Sequence, residues 1–321
     1  MASSPTPTHA TPTGPGLGDR RLIFVLGKGG VGKSVVSSTL AMMWASRGQR
    51  VIIAEVANQH RLSEVFATHD APPNVATELA PNLWGISIDV DRSTQEYLAS
   101  QIKIRPLVDL LVRSRAFHTF AAAAPGLAEL VTLGKIWELA VALEGGHPIW
   151  DKVIVDCPAT GHGIALLRTA GNVTELAAQG PVRDQAHRIE EVVMHPSATG
   201  IVVVARPEEL PVSEAIDAIT ELRRDNFPVA ATVMNALVKM RFSDEEARAL
   251  ADIVAADRVT DAALHGARAA HRRQVRAHGH LAHFTAATHL TPLILPDIGP
   301  GPITPARLGV LATQCAAQVN R

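Results

Sequence analysis

Gly27-Lys28-Gly29-Gly30-Val31-Gly32-Lys33-Ser34 follows directly on the apolar run Leu22-Ile23-Phe24-Val25-Leu26, and a helical stretch over about 33–46 comes next. Gly27, Gly32, Lys33 and Ser34 satisfy the pattern of a phosphate-binding loop, which chance supplies in only about 1% of chains of such length. The glycines allow positive φ and let backbone N–H groups close around phosphates, while the helix points its positive end at the same place. Lys33 is expected to reach the β and γ phosphates, and the Ser34 hydroxyl to ligate Mg²⁺. Gly27 to Val35, with Lys28, Gly29, Gly30, Val31 and Gly32 between them, is therefore the expected nucleotide cradle. The plainer reading is a Gly-rich turn from strand to helix with no ligand.

Working outward, short apolar runs recur at 22–26, 51–54, 83–88, 153–155, 201–205, 229–234 and 292–295, with helical stretches between most of them. That alternation predicts an α/β fold, a mainly parallel sheet covered by helices. Ligands of such sheets sit at the carboxyl ends of the strands. Glu55 ends the second run, where it would orient a water or hold Mg²⁺ through water, or else stand as a solvated carboxylate. Asp156 ends the fourth, the expected second Mg²⁺ contact. Gly161 and Gly163 follow it, and predict a segment free to turn or move with the state of the γ phosphate. Cys157, beside Asp156, reads as a small packed residue.

The chain has 321 residues, 47% hydrophobic, with a formal net charge of −1, so no global field favours nucleic acid or an anionic membrane. That length suits one large domain, expected over 20–321, with an inserted helical subdomain at about 92–148. Residues 1–19, rich in Pro, Thr, Ser and Gly, are expected to be a disordered leader. Cys157 and Cys315 are the only cysteines and lie far apart, which excludes a disulfide framework or a cysteine zinc site. No apolar run reaches the roughly 18 residues of a membrane span, and a cytoplasmic protein is expected.

Lys28, one place after the first glycine, marks the deviant form of the loop and resembles the signature lysine of dimerising P-loop ATPases. Together with Asp156-Cys157-Pro158-Ala159-Thr160-Gly161-His162, it resembles the ArsA-type ATPase family, which includes the arsenite-pump ATPase and the ATPases that target tail-anchored membrane proteins. The likeness extends to Leu62-Ser63-Glu64-Val65-Phe66, to Arg206-Pro207-Glu208 and to Asn235. Ala124-Pro125-Gly126-Leu127-Ala128-Glu129-Leu130 and Leu133-Gly134-Lys135-Ile136-Trp137-Glu138-Leu139 are most similar to a bacterial branch of single-domain members. The resemblance implies Mg²⁺ and ATP as cofactors and a homodimer, or a heterodimer with a paralogous ATPase. Within it, Lys28 would cross to the partner's nucleotide, Asn235 would contact adenine, and Pro296 would sit where relatives close over that base.

The chain also departs from the family. Relatives carry an Asp that activates the attacking water; anchoring on His60 and Leu62-Ser63-Glu64 puts Ala57 there, so Glu55 substitutes, turnover is slow, or a partner supplies the chemistry. The metal-binding cysteines are missing, which argues against arsenite. The methionines of the client groove are missing too, with none between Met43 and Met194. Tyr97, Leu98, Leu107, Leu110, Leu111, Phe117, Phe120, Leu127, Leu130 and Val131 make the insertion apolar, as a cap on the core or as a groove for a protein client. His265, His271, His278, His280, His283 and His289, mixed with arginines, read as a solvated basic helix face with no metal-site spacing. The last stretch, 305–319, lacks a basic face and is expected to dock on the core. Three functions compete: a switch ATPase acting on an unknown client, a nucleotide-binding regulatory subunit with little hydrolysis, and a partitioning ATPase of the ParA or MinD type. Nucleic acid is not expected as a partner.

Overall fold

The computed structural model describes residues 16–56, 61–68, 72–101, 126–177 and 179–319. Eight strands form the main sheet: β1 (Leu22–Gly27), β2 (Val51–Val56), β3 (Thr77–Ala80), β4 (Leu83–Ile88), β7 (Lys152–Asp156), β8 (Thr199–Ala205), β9 (Val229–Leu237) and β10 (Leu293–Pro296). A two-stranded hairpin, β5 (Leu143–Glu144) with β6 (His147–Pro148), precedes β7. The order across the sheet is β10-β9-β8-β1-β7-β2-β4-β3, parallel throughout except for β3, which runs antiparallel to β4 at the edge. This is the expected α/β P-loop architecture.

β1 lies at the centre and is buried along its whole length. Its side chains alternate, as strand geometry requires. Leu22, Phe24 and Leu26 face a core shared with α4 (Leu127–Val141), α5 (Thr160–Leu176), α6 (Pro181–Met194), α7 (Glu209–Arg224) and Phe284 of α9 (Arg258–Thr288). Ile23 and Val25 face the other core, built with α1 (Lys33–Ala45), α2 (Arg61–Phe66) and α10 (Pro305–Val319). A strand covered on both faces must be apolar on both, which is why this run reads as continuous rather than alternating. Among the described residues, the remaining α-helices are α3 (Val90–Gln101) and α8 (Asp244–Asp252).

Three expectations change. Leu17–Asp19, placed in the leader, form a 3-10 turn whose Leu17 is buried, and Lys152 Nζ donates to the Gly18 carbonyl at 2.5 Å. A buried leucine and a buried lysine therefore anchor residues 16–19 on the domain. β3 appears in no apolar run: Thr77, Glu78, Leu79 and Ala80 pair with β4 alone and are nowhere fully buried. Asn235, expected after its strand, lies inside β9, which continues to Leu237 beside β10.

Of the inserted region, α3 and α4 are described, while Leu107, Leu110, Leu111, Phe117 and Phe120 lie outside the described residues, as does the side chain of Leu98. α4 is part of the core, burying Leu130, Leu133, Ile136 and Ala140 at helical spacing. α10 docks as expected through Leu308, Leu311, Ala312 and Cys315, against α1. Among the described residues, no helix is long and apolar enough to cross a membrane.

Candidate nucleotide-binding site

The loop from β1 to α1 is shaped by its glycines at two kinds of position. At Gly27 the constraint is space: a Cβ would lie 2.5 Å from the Val204 carbonyl oxygen and 2.9 Å from Val31 Cγ2. At Gly32, the residue capping α1, it is conformation, with φ at 91°. Val35 packs partly buried beside the loop, and Gly29 and Gly30 form its exposed tip.

Lys33 folds back over this loop. Its ammonium donates to the carbonyls of Gly27 at 3.0 Å and Lys28 at 3.2 Å, and only 8% of the residue is exposed. Burial lowers its pKa, opposed by the charge of Asp156. Ser34 Oγ donates to Asp156 Oδ2 at 2.5 Å, and Ser37 Oγ to Oδ1 at 3.4 Å. Burial raises the Asp156 carboxyl, opposed by the Ser34 hydrogen bond and by Lys33. Two hard oxygens in contact at the mouth of the loop suit a cation such as Mg²⁺, which takes a few protein oxygens and keeps waters. Ser34 and Asp156 fit that role by donor chemistry and by adjacency.

Glu55 stands beside Asp156 in the parallel register of β2 and β7. It is 3% exposed, and its Oε1 accepts the backbone N–H groups of Arg61 at 2.9 Å and Leu62 at 3.1 Å. The carboxylate is thus neither solvated nor idle; it holds the start of α2. Arg61 returns to the loop, donating from Nη1 to Ser34 Oγ at 3.3 Å. Ala57 and His60 lie outside the described residues.

Lys28 makes an ion pair within its own chain, 2.7 Å from Glu214 Oε1 on α7. Asn235 donates from Nδ2 to the Val31 carbonyl at 2.8 Å and is largely buried, so it ties β9 to the loop. The next residue, Ala236, has φ at 57°, a left-handed conformation that a non-glycine residue adopts at a cost of about 1–3 kcal/mol. Pro296 ends β10, and just beyond it a pocket of about 420 Å³ opens at the carboxyl ends of β8, β9 and β10. Arg206, Glu208, Val238, Arg273, His280 and Asp297 are among its walls.

Gly161 and Gly163 correct the expectation of a turning segment: both lie in the first turn of α5, and neither has positive φ. Gly161 is exposed, with open space where a Cβ would be. Gly163 is a spacer, since a Cβ there would meet Leu26 Cδ2 at 2.5 Å. Cys157 is fully buried and its thiol is pushed up by burial, as a packed residue should be. Among the described residues, no group of three or more His, Cys, Asp or Glu is placed to hold a metal, the histidines of α9 included. Sequence reasoning missed Arg61 and Glu214. Arg61 lay within a stretch already singled out, and its charge was the available signal; nothing in the sequence marked Glu214.

A second cavity, of about 550 Å³, opens between α3, α4 and α6, with Tyr97, Leu127, Leu130, Val131, Trp137 and Ile189 on its walls. Lys135 bridges Glu96 at 3.0 Å and Glu138 at 3.1 Å at its side. Its α3 and α4 walls belong to the inserted region, which the sequence left open as a cap on the core or as an apolar groove.

Comparison with known proteins bears on this geometry. The model of the anion-transporting ATPase family matches residues 20–179, which contain the loop, Glu55, Asp156 and Gly161. ATPase BagA of Mycobacterium tuberculosis is 32% identical over 67% of this chain and 64% of its own length. The chain belongs to the ArsA-type ATPase family. A putative arsenical pump-driving ATPase of Aquifex aeolicus is 23% identical over 73% of this chain and 85% of its own, and ATPase GET3B of Arabidopsis thaliana is 22% identical over 71% and 67%. This ArsA-type chain spans just under two thirds of the mycobacterial relative's length. The family model ends before Asn235 and Pro296, so the ArsA-type match covers the loop, Glu55 and Asp156 but neither of those two residues.

Proposed function

We propose that this ArsA-type chain binds Mg·ATP, hydrolyses it, and uses the change of nucleotide to switch its shape as a cytoplasmic homodimer or as half of a heterodimer with a paralogous ATPase. The observation that carries the reading is the contact of Ser34 Oγ with Asp156 Oδ2 at 2.5 Å, beneath a glycine loop whose Lys33 waits over its own carbonyls. In the proposed complex Lys33 leaves those carbonyls for phosphate oxygens, and the N–H groups of the loop take the remaining charge. Ser34 and Asp156 would hold Mg²⁺, which when bound would supply positive charge against the phosphates. Gly161, exposed at the start of α5, would sense the γ phosphate. Asn235 and Pro296 would bound the base, toward the pocket at the ends of β8 to β10. Lys28 would stabilise charge in the partner's site after leaving Glu214. The cavity between α3, α4 and α6 is the proposed contact for a protein client.

Changing Lys33 to Ala is expected to abolish Mg·ATP binding measured by calorimetry. Binding retained at wild-type affinity would overturn the site assignment.

One observation favours a second reading, in which the chain binds ATP but scarcely turns it over. Glu55, the candidate to activate water, already spends Oε1 on two backbone N–H groups. Turnover by the purified protein that vanishes in Glu55→Gln supports hydrolysis by this chain with Glu55 as the base. Absent turnover that appears in Ala57→Asp supports the regulatory reading.

A further inference from the structure

Arg61 is exposed at the mouth of the phosphate loop, and its backbone N–H is fixed by the buried Glu55 carboxylate at 2.9 Å. The side chain therefore springs from a held point. Its guanidinium carries five N–H donors, of which the contact with Ser34 Oγ at 3.3 Å uses one. Among the described residues it makes no ion pair, although it lies close enough to act electrostatically on both Asp156 and Lys33. The other two cations of the loop are engaged: Lys33 by two carbonyls, Lys28 by Glu214. A planar, permanently charged fork, in no ion pair among the described residues and resting on the Ser34 hydroxyl, matches the oxygens of a terminal phosphate group.

We propose that Arg61 reads the γ phosphate of the nucleotide, donating hydrogen bonds to its oxygens from within the same chain. This rests on the reading of the loop as a Mg·ATP site and goes beyond it by naming the residue that tells ATP from ADP. The guanidinium rests on a single neutral partner, Ser34 Oγ. With ATP bound, the charge on the γ oxygens outbids a neutral hydroxyl, since a hydrogen bond to an ionised acceptor is roughly twice as strong as a neutral one. Because Glu55 joins the Arg61 backbone to β2, the same contact ties the start of α2 to the terminal phosphate. A ligand shifts a switch only by its difference in affinity for the two states, and Arg61 supplies such a difference between ATP and ADP.

The test compares ADP with a non-hydrolysable ATP analogue, each with Mg²⁺, by calorimetry on the full chain. The wild type is expected to prefer the analogue. Arg61→Ala should bind the analogue about 10-fold more weakly while its ADP affinity changes less than about 2-fold, and Arg61→Lys should fall between. Retained ADP affinity also shows that the variants are folded. Three results would overturn the inference: no analogue preference in the wild type, equal weakening of both ligands in Arg61→Ala and Arg61→Lys, or tighter binding of both, which would make Arg61 a plug that nucleotide must displace. If the wild type binds neither ligand, the Mg·ATP reading itself fails, which is a different result from losing the preference alone.

Discussion

Lys152 sits at the start of β7, 4% exposed, with its ammonium 5.2 Å from the centre of the Trp44 ring and bonded to the carbonyls of Gly18 and Arg20. Burial lowers its pKa from 10.5 to about 8. Between those values the unfolded chain holds a proton that the folded chain has released, so this residue makes stability rise with pH across that window. The Cys315 thiol, pushed up to about 11 by burial, acts in the opposite sense above pH 9, so the lysine is best isolated by substitution. Relative to Lys152→Met, the wild type should gain on the order of 1 kcal/mol between pH 7.5 and 9.5 in denaturant titrations, after allowance for partial hydration of the amine. A flat difference would place the proton elsewhere. At Gly163 the prediction is steric. A methyl added 2.5 Å from Leu26 Cδ2 should cost about 1–3 kcal/mol of stability in Gly163→Ala, whereas Gly161→Ala, with nothing near its Cβ, should stay within about 0.5 kcal/mol apart from any effect on nucleotide. Equal costs at the two sites would mean that the close packing of α5 on β1 does not govern them.

At the scale of elements, α10 contributes Leu308 and Leu311, both essentially inaccessible, to the core it shares with α1. Leu308→Ala should lower unfolding free energy by about 2–5 kcal/mol. The comparison is Val310→Ala on the exposed face of the same helix, with an effect within about 0.5 kcal/mol. The strands most legible in the sequence were those buried on both faces, because they must be largely apolar throughout; β1, β2, β7 and β8 are of this kind, while β4 leaves Trp84 and Ser87 half-buried. β3 escaped because an edge strand covered on one side needs little apolar surface, and Leu79 alone gave no period to count. The loop from Gly27 to Ser34 was legible because the phosphate binding proposed for it dictates residue types at fixed spacing. Gly163 was noticed but misread, since a glycine required for spacing and one required for turning are the same letter. The Lys28–Glu214 and Arg61–Ser34 contacts join positions 186 and 27 residues apart, and pairs at such separation leave no mark in one sequence.

The whole molecule is a sheet with a core on each face, and each core contains one thiol: Cys157 with α5 and α7, Cys315 with α1 and α2. Both side chains are at most 1% exposed and both thiols are held protonated by burial. Thiol reagents should therefore label neither in the native protein at pH 8, and both in denaturant. If Cys315 reacts first under partial denaturation, the α10 face opens before the α5 face; simultaneous reaction means the two cores unfold as one unit. Prompt native labelling of either would contradict the packing described.

The pair between Lys28 and Glu214 is exposed enough, at 30% and 38% of the two side chains, to feel the surrounding electrolyte. At 1 M ionic strength the screening length shrinks to about 3 Å, comparable with the 2.7 Å contact itself. The part-buried bond between Ser34 and Asp156, whose carboxylate is 1% exposed, feels the same ions less. Salt therefore acts on the two halves of one loop unequally, freeing the lysine beside the first glycine while the oxygens at the far end stay joined. The buffer in which the protein is handled should therefore govern how firmly Lys28 is held to Glu214.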